Sequence, residues 1–144
     1  MTDQASATTR IAALLLRLGL GTMFIAHALL KILVFTLPGT VQFFVSIGFP
    51  GWLAYVVTGI ELSAGVLLLA GFHTRWVALA TVPVLLGALS AHAGNGWVFS
   101  AQNGGWEYPA FLVLAVLVQA LLGDGAWALT GRTSGAKLRI RTAG

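Results

Sequence analysis

The chain has 144 residues, of which 58% are hydrophobic and only 8% are charged. A soluble domain carries about 25% charged residues, so eight basic and four acidic side chains are too few to cover a water-soluble fold of this size. The composition predicts an integral membrane protein, with residues 1–144 as one membrane domain, and excludes a separate soluble module.

The basic charge is concentrated at the end of the sequence. The formal net charge is +4, and four of the eight basic residues lie in the last thirteen positions, namely Arg132, Lys137, Arg139 and Arg141. A basic cluster that follows the last apolar segment is typical of a cytoplasmic tail near anionic lipid headgroups. We therefore predict a cytoplasmic tail over 129–144 and no nucleic-acid partner.

Cysteine is absent from the sequence. This excludes disulfides, thiolate metal sites and dithiol relays. Any redox role would therefore need a bound quinone, a haem or a partner protein, and no protein metal site is expected.

Four apolar segments are long enough to cross a bilayer as helices, which needs about 20 residues. They cover about 11–35, 52–72, 76–93 and 108–128. They are too long and too rich in Leu and Ala to be strands. The predicted fold class is all-α: a membrane-spanning four-helix bundle.

The connection between the first two segments, residues 37–51, is apolar but is interrupted by two Pro-Gly pairs. Its spacing favours a short interfacial helix, with Phe43, Phe44, Ile47 and Phe49 on the apolar side. An ordinary loop with aromatic anchors is the alternative.

The distribution of basic residues also predicts the orientation. Arg10, Arg17, Arg75 and the basic tail all fall on one side of the predicted bundle. By the positive-inside rule both termini are cytoplasmic, in a bacterial-type inner membrane. Arg17 is expected to extend its side chain towards that interface.

Small residues recur at the spacing of helix-packing contacts. The pairs are Gly59 with Ser63 and Gly87 with Ala91. Such pairs let helix backbones approach closely in lipid, so we expect helix contacts at these positions.

Five ionisable side chains lie within or at the edge of the apolar segments. They are His27, Lys31, Glu61, His92 and Glu107. A charge at the centre of a membrane helix costs about 2.5 kcal/mol or more, so such residues are candidates for function. All five are predicted near the non-cytoplasmic face, with His27 and Glu61 at similar depths.

Each candidate has a functional and a structural interpretation. Glu61 is predicted to accept protons, and His27, whose imidazole titrates near neutral pH, to relay them. Lys31, His92 and Glu107 are predicted to bind ligand. In the structural alternative, Glu61 pairs with Lys31 or His27 and holds two helices together. If Lys31 does not pair with Glu61, its side chain extends to the membrane interface.

The remaining two residues have their own alternatives. His92 is either a water-exposed residue at the rim or a haem ligand together with His27, although haem is the less favoured cofactor. Glu107 begins the fourth segment just before Pro109, where an acid complements the helix dipole.

Several sequence segments resemble the DoxX family of small four-helix membrane proteins. They are RLGLGTMFIAHALLKI, GIELSAGVLLLAGFHTRWVAL and AHAGNGWVFSAQNGGWEYPAFLVLAV. Alanine follows His27 where the family usually has glycine. The resemblance implies a redox-linked inner-membrane protein that works with quinone, since relatives are linked to a terminal quinol oxidase and to thiosulfate:quinone oxidoreductase.

Three functional hypotheses follow. The first is a quinone-associated redox protein or subunit in which His27 and Glu61 exchange protons with the quinone headgroup. The second is a non-enzymatic scaffold that recruits a redox partner protein. The third is a transporter of a small solute or of protons, which would need a homo-oligomer because four helices form a narrow pathway.

Overall fold

The computed structural model describes residues 2–130, and all the regular secondary structure in this part of the chain is helical. The helices are α1 (Thr2–Leu29), which continues through a π-helical turn (Leu30–Val34), α2 (Leu37–Ser46), α3 (Leu53–Ala70), α4 (Thr74–His92), a 3₁₀ turn (Ala93–Asn95) and α5 (Glu107–Leu122). The all-α prediction is confirmed.

The four long helices form a bundle in which α1 packs mainly against α3, and α4 against α5. Smaller contacts between α3 and α4 and between α1 and α5 close the bundle. The buried apolar core consists of Leu20, Phe24, Leu68, Ala78, Leu85, Leu112, Ala115, Val116 and Ala120.

The outer surface of the bundle is apolar, as expected for contact with lipid. Leu33 is 71% exposed, Trp76 68% and Leu121 80%. Three helical stretches are long and apolar enough to cross a membrane: Ser6–Val34, Leu53–Ala70 and Thr74–Asn95. The bundle is therefore of the membrane-spanning type.

Helix α5 is shorter than the predicted fourth segment. It has 16 residues, or about 24 Å at 1.5 Å per residue, and it ends at Leu122 rather than at Ala128. Gly123 follows with φ +76°, which terminates the helix. Helix α5 alone is therefore shorter than a bilayer core, which is about 30 Å thick.

The chain turns back into the bundle after α5. Asp124 accepts a hydrogen bond at Oδ1 from the Thr74 backbone N–H (2.7 Å) and, through its carbonyl, a bond from Nη1 of Arg17 (2.6 Å). Arg17 is only 2% exposed. The expectation that Arg17 extends to the interface is wrong, because its guanidinium is used inside the bundle to hold this turn.

Helices α1 and α3 approach each other closely at Gly21 and Gly65. A Cβ on Gly65 would lie 2.9 Å from the Gly21 carbonyl oxygen and 2.6 Å from Cγ1 of Ile25. Gly59 and Gly87 instead have open space where a Cβ would be. The prediction of close helix contacts at those two glycines is wrong: they face away from their neighbours, and residue spacing alone does not reveal the face.

Helix α2 confirms that the first connection contains a short helix. The Thr36 side chain caps it by accepting a bond from the Gly39 N–H (3.3 Å). Phe44 packs against Phe49, with ring centroids 6.2 Å apart, whereas Phe43 is exposed. That α2 lies at a membrane interface stays a prediction.

The start of α1 and the segment after α5 lie at the same end of the bundle. The Ala126 N–H donates to the carbonyl of Arg10 over 2.9 Å. The opposite end carries α2 and the loop from Gly96 to Trp106. Of the predicted tail 129–144, residues 131–144 lie outside the described part.

Candidate functional site

The central feature of the site is an ion pair between α1 and α3. Nζ of Lys31 donates to both carboxylate oxygens of Glu61, over 2.9 and 2.8 Å. The side chains are only 18% and 9% exposed, respectively. Charged residues within membrane helices are rare and usually pair with one another, so this pair is a candidate functional position.

Lys31 lies on the π-helical turn. The N–H of Phe35 reaches back five residues to the carbonyl of Leu30 (2.9 Å), so this turn holds one more residue than an α-helical turn. The hydroxyl of Thr40 lies 3.3 Å from the Lys31 carbonyl and 2.9 Å from that of Thr36. Helix α2 therefore supports the backbone that presents Lys31 to Glu61.

His27 lies one turn before Lys31 but contacts a different helix. Its Nδ1 is 2.8 Å from the Met23 carbonyl. Since a carbonyl only accepts, we assign the proton to Nδ1, which leaves Nε2 as an acceptor in the neutral ring. The imidazole stacks on the Tyr108 ring, with centroids 5.8 Å apart and planes at 19°.

His92 and Asn95 hold the loop that precedes α5. Nδ1 of His92 is 3.1 Å from the Asn103 carbonyl and 3.0 Å from that of Gly104. The Asn95 side-chain amide donates to the same two carbonyls, over 3.1 and 3.0 Å. Asn103 and Gly104 both have positive φ, and the bonds from His92 and Asn95 tie this turn to the end of α4.

Glu107 fixes the same loop from its other side. Its Oε1 accepts from the Phe99 N–H over 2.8 Å. Trp97 and Trp106 pack edge to face, with centroids 4.4 Å apart, and a Cβ on Gly105 would collide with the carbonyls of Trp97 and Val98. The loop is therefore tightly packed, and the Glu107 carboxylate is bound to the loop backbone.

The five predicted residues lie at the same end of the bundle but in separate arrangements. The structure joins Lys31 to Glu61, stacks His27 on Tyr108, and engages His92 and Glu107 in the loop. Their assignment as catalytic or ligand-binding residues stays a prediction.

Two residues near these arrangements were not chosen from the sequence. Tyr108 was missed because its partner is on a distant helix; its hydroxyl is buried and has no hydrogen-bond partner within the described residues. Arg17 was missed although it carries the same signal as the candidates, a charge inside an apolar segment.

Comparison with known proteins identifies the family. The family model described as DoxX matches residues 12–94, which is more than half of the sequence. The chain belongs to the DoxX family. The matched region contains Lys31 and Glu61, together with His27 and His92, whereas Glu107 and Tyr108 lie beyond it.

A DoxX-family chain with a curated name offers one further comparison. The Bacillus subtilis (strain 168) protein named "Putative oxidoreductase CatD" is 44% identical over 79 residues. The aligned region is 55% of this chain and 58% of the relative, so the match spans little more than half of either protein. No solved structure matches this chain.

Proposed function

We propose that this DoxX-family chain is a redox-linked protein that binds a quinone headgroup beside the Lys31–Glu61 pair. The observation that carries the proposal is this ion pair, with both side chains more than four-fifths buried at one end of the bundle. The family membership and the oxidoreductase name of the Bacillus subtilis relative support a redox role.

The donor count of Lys31 supports a ligand at this position. An ammonium group has three N–H donors, and Glu61 takes two of them. The third can bind a quinone carbonyl oxygen, and the positive charge stabilises negative charge that develops on that oxygen during reduction. Glu61 keeps the ammonium in place and exchanges protons with the headgroup.

In this proposal His27 is the second proton-exchanging residue. Its Nδ1–H is used by Met23 and its ring is held against Tyr108, so Nε2 is the nitrogen left for a ligand or water. His92 and Glu107 form the mouth of the site through the loop that they hold. This loop lies at the same end of the bundle as the ion pair, and exclusion of water from that end would strengthen the electrostatic effect of the pair.

The proposal includes a location and an orientation. The 144 residues form one membrane domain in a bacterial-type inner membrane, with both termini cytoplasmic and α2 at the opposite interface. The support is that Arg10 contacts Ala126, and that Nε of Arg75 donates to the Ala120 carbonyl over 2.9 Å, so these basic residues share one end of the bundle. Basic residues at one end favour the cytoplasmic side.

Binding of decylubiquinone to the protein in lipid nanodiscs tests the proposal. We expect saturable binding above that of protein-free nanodiscs. The double variant Lys31→Met/Glu61→Met removes both charges together and leaves no unpaired ion, so it should fold and bind at least tenfold more weakly, about 1.4 kcal/mol.

Arg75→Gln is the matched control, because it removes one charge at the opposite end and keeps a side-chain N–H donor. We expect its affinity to stay within twofold of the wild type. Binding that does not exceed the lipid background, or equal affinity in the double variant, would refute the quinone role.

The scaffold function is the second candidate, and the exposure of α4 favours it. Only 17% of its most apolar stretch is buried, compared with 39% for α1 and 33% for α3. A helix this exposed has room for a partner helix, from a redox protein or from a second copy of this chain. Cross-linking from the exposed face of α4 in native membranes distinguishes these possibilities. Protein adducts would show a partner or a second copy, whereas adducts with lipid alone would contradict the scaffold function.

A further inference from the structure

A second polar centre lies at the end of the bundle opposite to the Lys31–Glu61 pair. It consists of Arg17 from α1, Thr74 from the start of α4 and Gln119 from the end of α5, which are 2%, 0% and 0% exposed. Each has one buried polar atom that finds no hydrogen-bond partner among residues 2–130: Nε of Arg17, Oγ1 of Thr74 and Oε1 of Gln119. Buried polar atoms in folded proteins are nearly always paired, so these three call for an explanation.

All three residues bond to the adjacent residues Gly123 and Asp124: Arg17 and Gln119 through their side chains, and Thr74 through its backbone N–H. Nη1 of Arg17 donates to the Asp124 carbonyl (2.6 Å), and the Thr74 N–H donates to Oδ1 of Asp124 (2.7 Å). The Gln119 side-chain amide donates to the adjacent Gly123 carbonyl (2.9 Å). The residues that carry the unpartnered atoms are therefore held around one turn of the chain, at Gly123 and Asp124.

The chemistry of the three atoms defines what can bind them. The Arg17 Nε–H can only donate, the Gln119 Oε1 can only accept, and the Thr74 hydroxyl can do both. An anion would be repelled by the Gln119 oxygen, and a cation by the Arg17 guanidinium. A neutral molecule that both donates and accepts satisfies all three, and buried water typically makes about three hydrogen bonds.

We propose that Arg17, Thr74 and Gln119 form a buried water-binding site that joins α1, α4 and α5. The bound water accepts from the Arg17 Nε–H, donates to Oε1 of Gln119 and bonds to the Thr74 hydroxyl. It hydrates a guanidinium whose other bonds go to backbone carbonyls, those of Asp124 and Ala126. The site is independent of the quinone proposal.

Nuclear magnetic resonance of the arginine-labelled protein in nanodiscs tests this site. We expect the Arg17 Nε–H to show magnetisation transfer from a long-lived water. Thr74→Val should reduce the signal at least twofold, and Thr74→Ser, which keeps the hydroxyl, should retain it. Thr81→Val is the matched control, because Thr81 is also on α4, is 0% exposed and already bonds to the Ala78 carbonyl.

Absence of a water contact at the Arg17 Nε–H of the wild type would overturn the proposal, and this result needs no variant to fold. An equal loss of signal in Thr74→Val and Thr81→Val would also overturn it. Replacing chloride by gluconate should leave the Nε–H resonance unchanged, and a shift would assign the site to an anion instead.

Discussion

The ion pair between Lys31 and Glu61 gives the sharpest prediction about stability. Lys31→Met keeps the length and volume of the side chain but removes the ammonium. Glu61 is then left as a carboxylate that is 7% exposed and has lost both hydrogen bonds from Lys31. The cost of the substitution is therefore the cost of an unpaired buried charge.

The magnitude follows from the geometry. Two unit charges about 4 Å apart attract by about 4 kcal/mol at an effective dielectric constant near 20. Removing one partner of a fully buried pair costs about 3–5 kcal/mol. Because the Lys31 side chain is 18% exposed, we expect the lower limit, a loss of about 3 kcal/mol.

The double variant distinguishes pairing from simple packing. Replacing both members of a buried ion pair by apolar residues of similar size is often neutral or stabilising. Lys31→Met/Glu61→Met should therefore recover most of the stability lost in either single variant. The expected coupling free energy between the two positions is about 2 kcal/mol or more, within the range seen for residues in contact.

Reversible unfolding in mixed micelles measures all three variants under one set of conditions. The exchanged pair Lys31→Glu/Glu61→Lys serves as a further control and should recover part of the stability, since both charges are retained. Single variants that each cost less than about 1 kcal/mol and combine additively would refute the reasoning.

Three other changes have clear expected outcomes. Gly65→Ala should force α1 and α3 apart and lower the free energy of unfolding by about 1–3 kcal/mol, whereas Gly59→Ala, which has open space for its Cβ, should be neutral or slightly stabilising in the same unfolding assay. Asp124→Ala removes the acceptor for the Thr74 N–H at the start of α4, so it should cost about 1 kcal/mol, and an unchanged unfolding midpoint would contradict that role. Glu107→Ala should accelerate hydrogen exchange at the N–H that it binds in the loop, while Glu107→Gln, which keeps an acceptor oxygen, should protect it; equal exchange in the two variants would show that the contact is not formed.

Much of the fold could be predicted from the sequence because helix formation in a membrane depends on local properties. Length and hydropathy gave α3 to within two residues at each end, Leu53–Ala70 against a predicted 52–72. The end of α5 at Gly123 could not be found from hydropathy, because the apolar segment continues beyond it. The turn that follows is held by Asp124, which bonds to Thr74 across 50 positions and to Arg17 across 107.

The candidate site shows the same division. The sequence identified Lys31 and Glu61 as unusual because a charge in an apolar segment is visible locally, and it left their pairing open as one alternative. It could not show that His92 contacts backbone carbonyls at 103–104, because that contact requires the path of the loop. The sequence also could not show which face of each helix packs against a neighbour: Gly59 was predicted at a helix contact but has open space beside it.

The extra residue in the π-helical turn separates two requirements that a uniform helix would couple. Before Leu30, the register of α1 is set by the crossing at Gly21 and Gly65; after it, the same helix must aim Lys31 at Glu61. In an uninterrupted helix the two alignments would share one rotation about the helix axis. The widened turn changes the direction of the residues around Lys31 relative to the glycine contact.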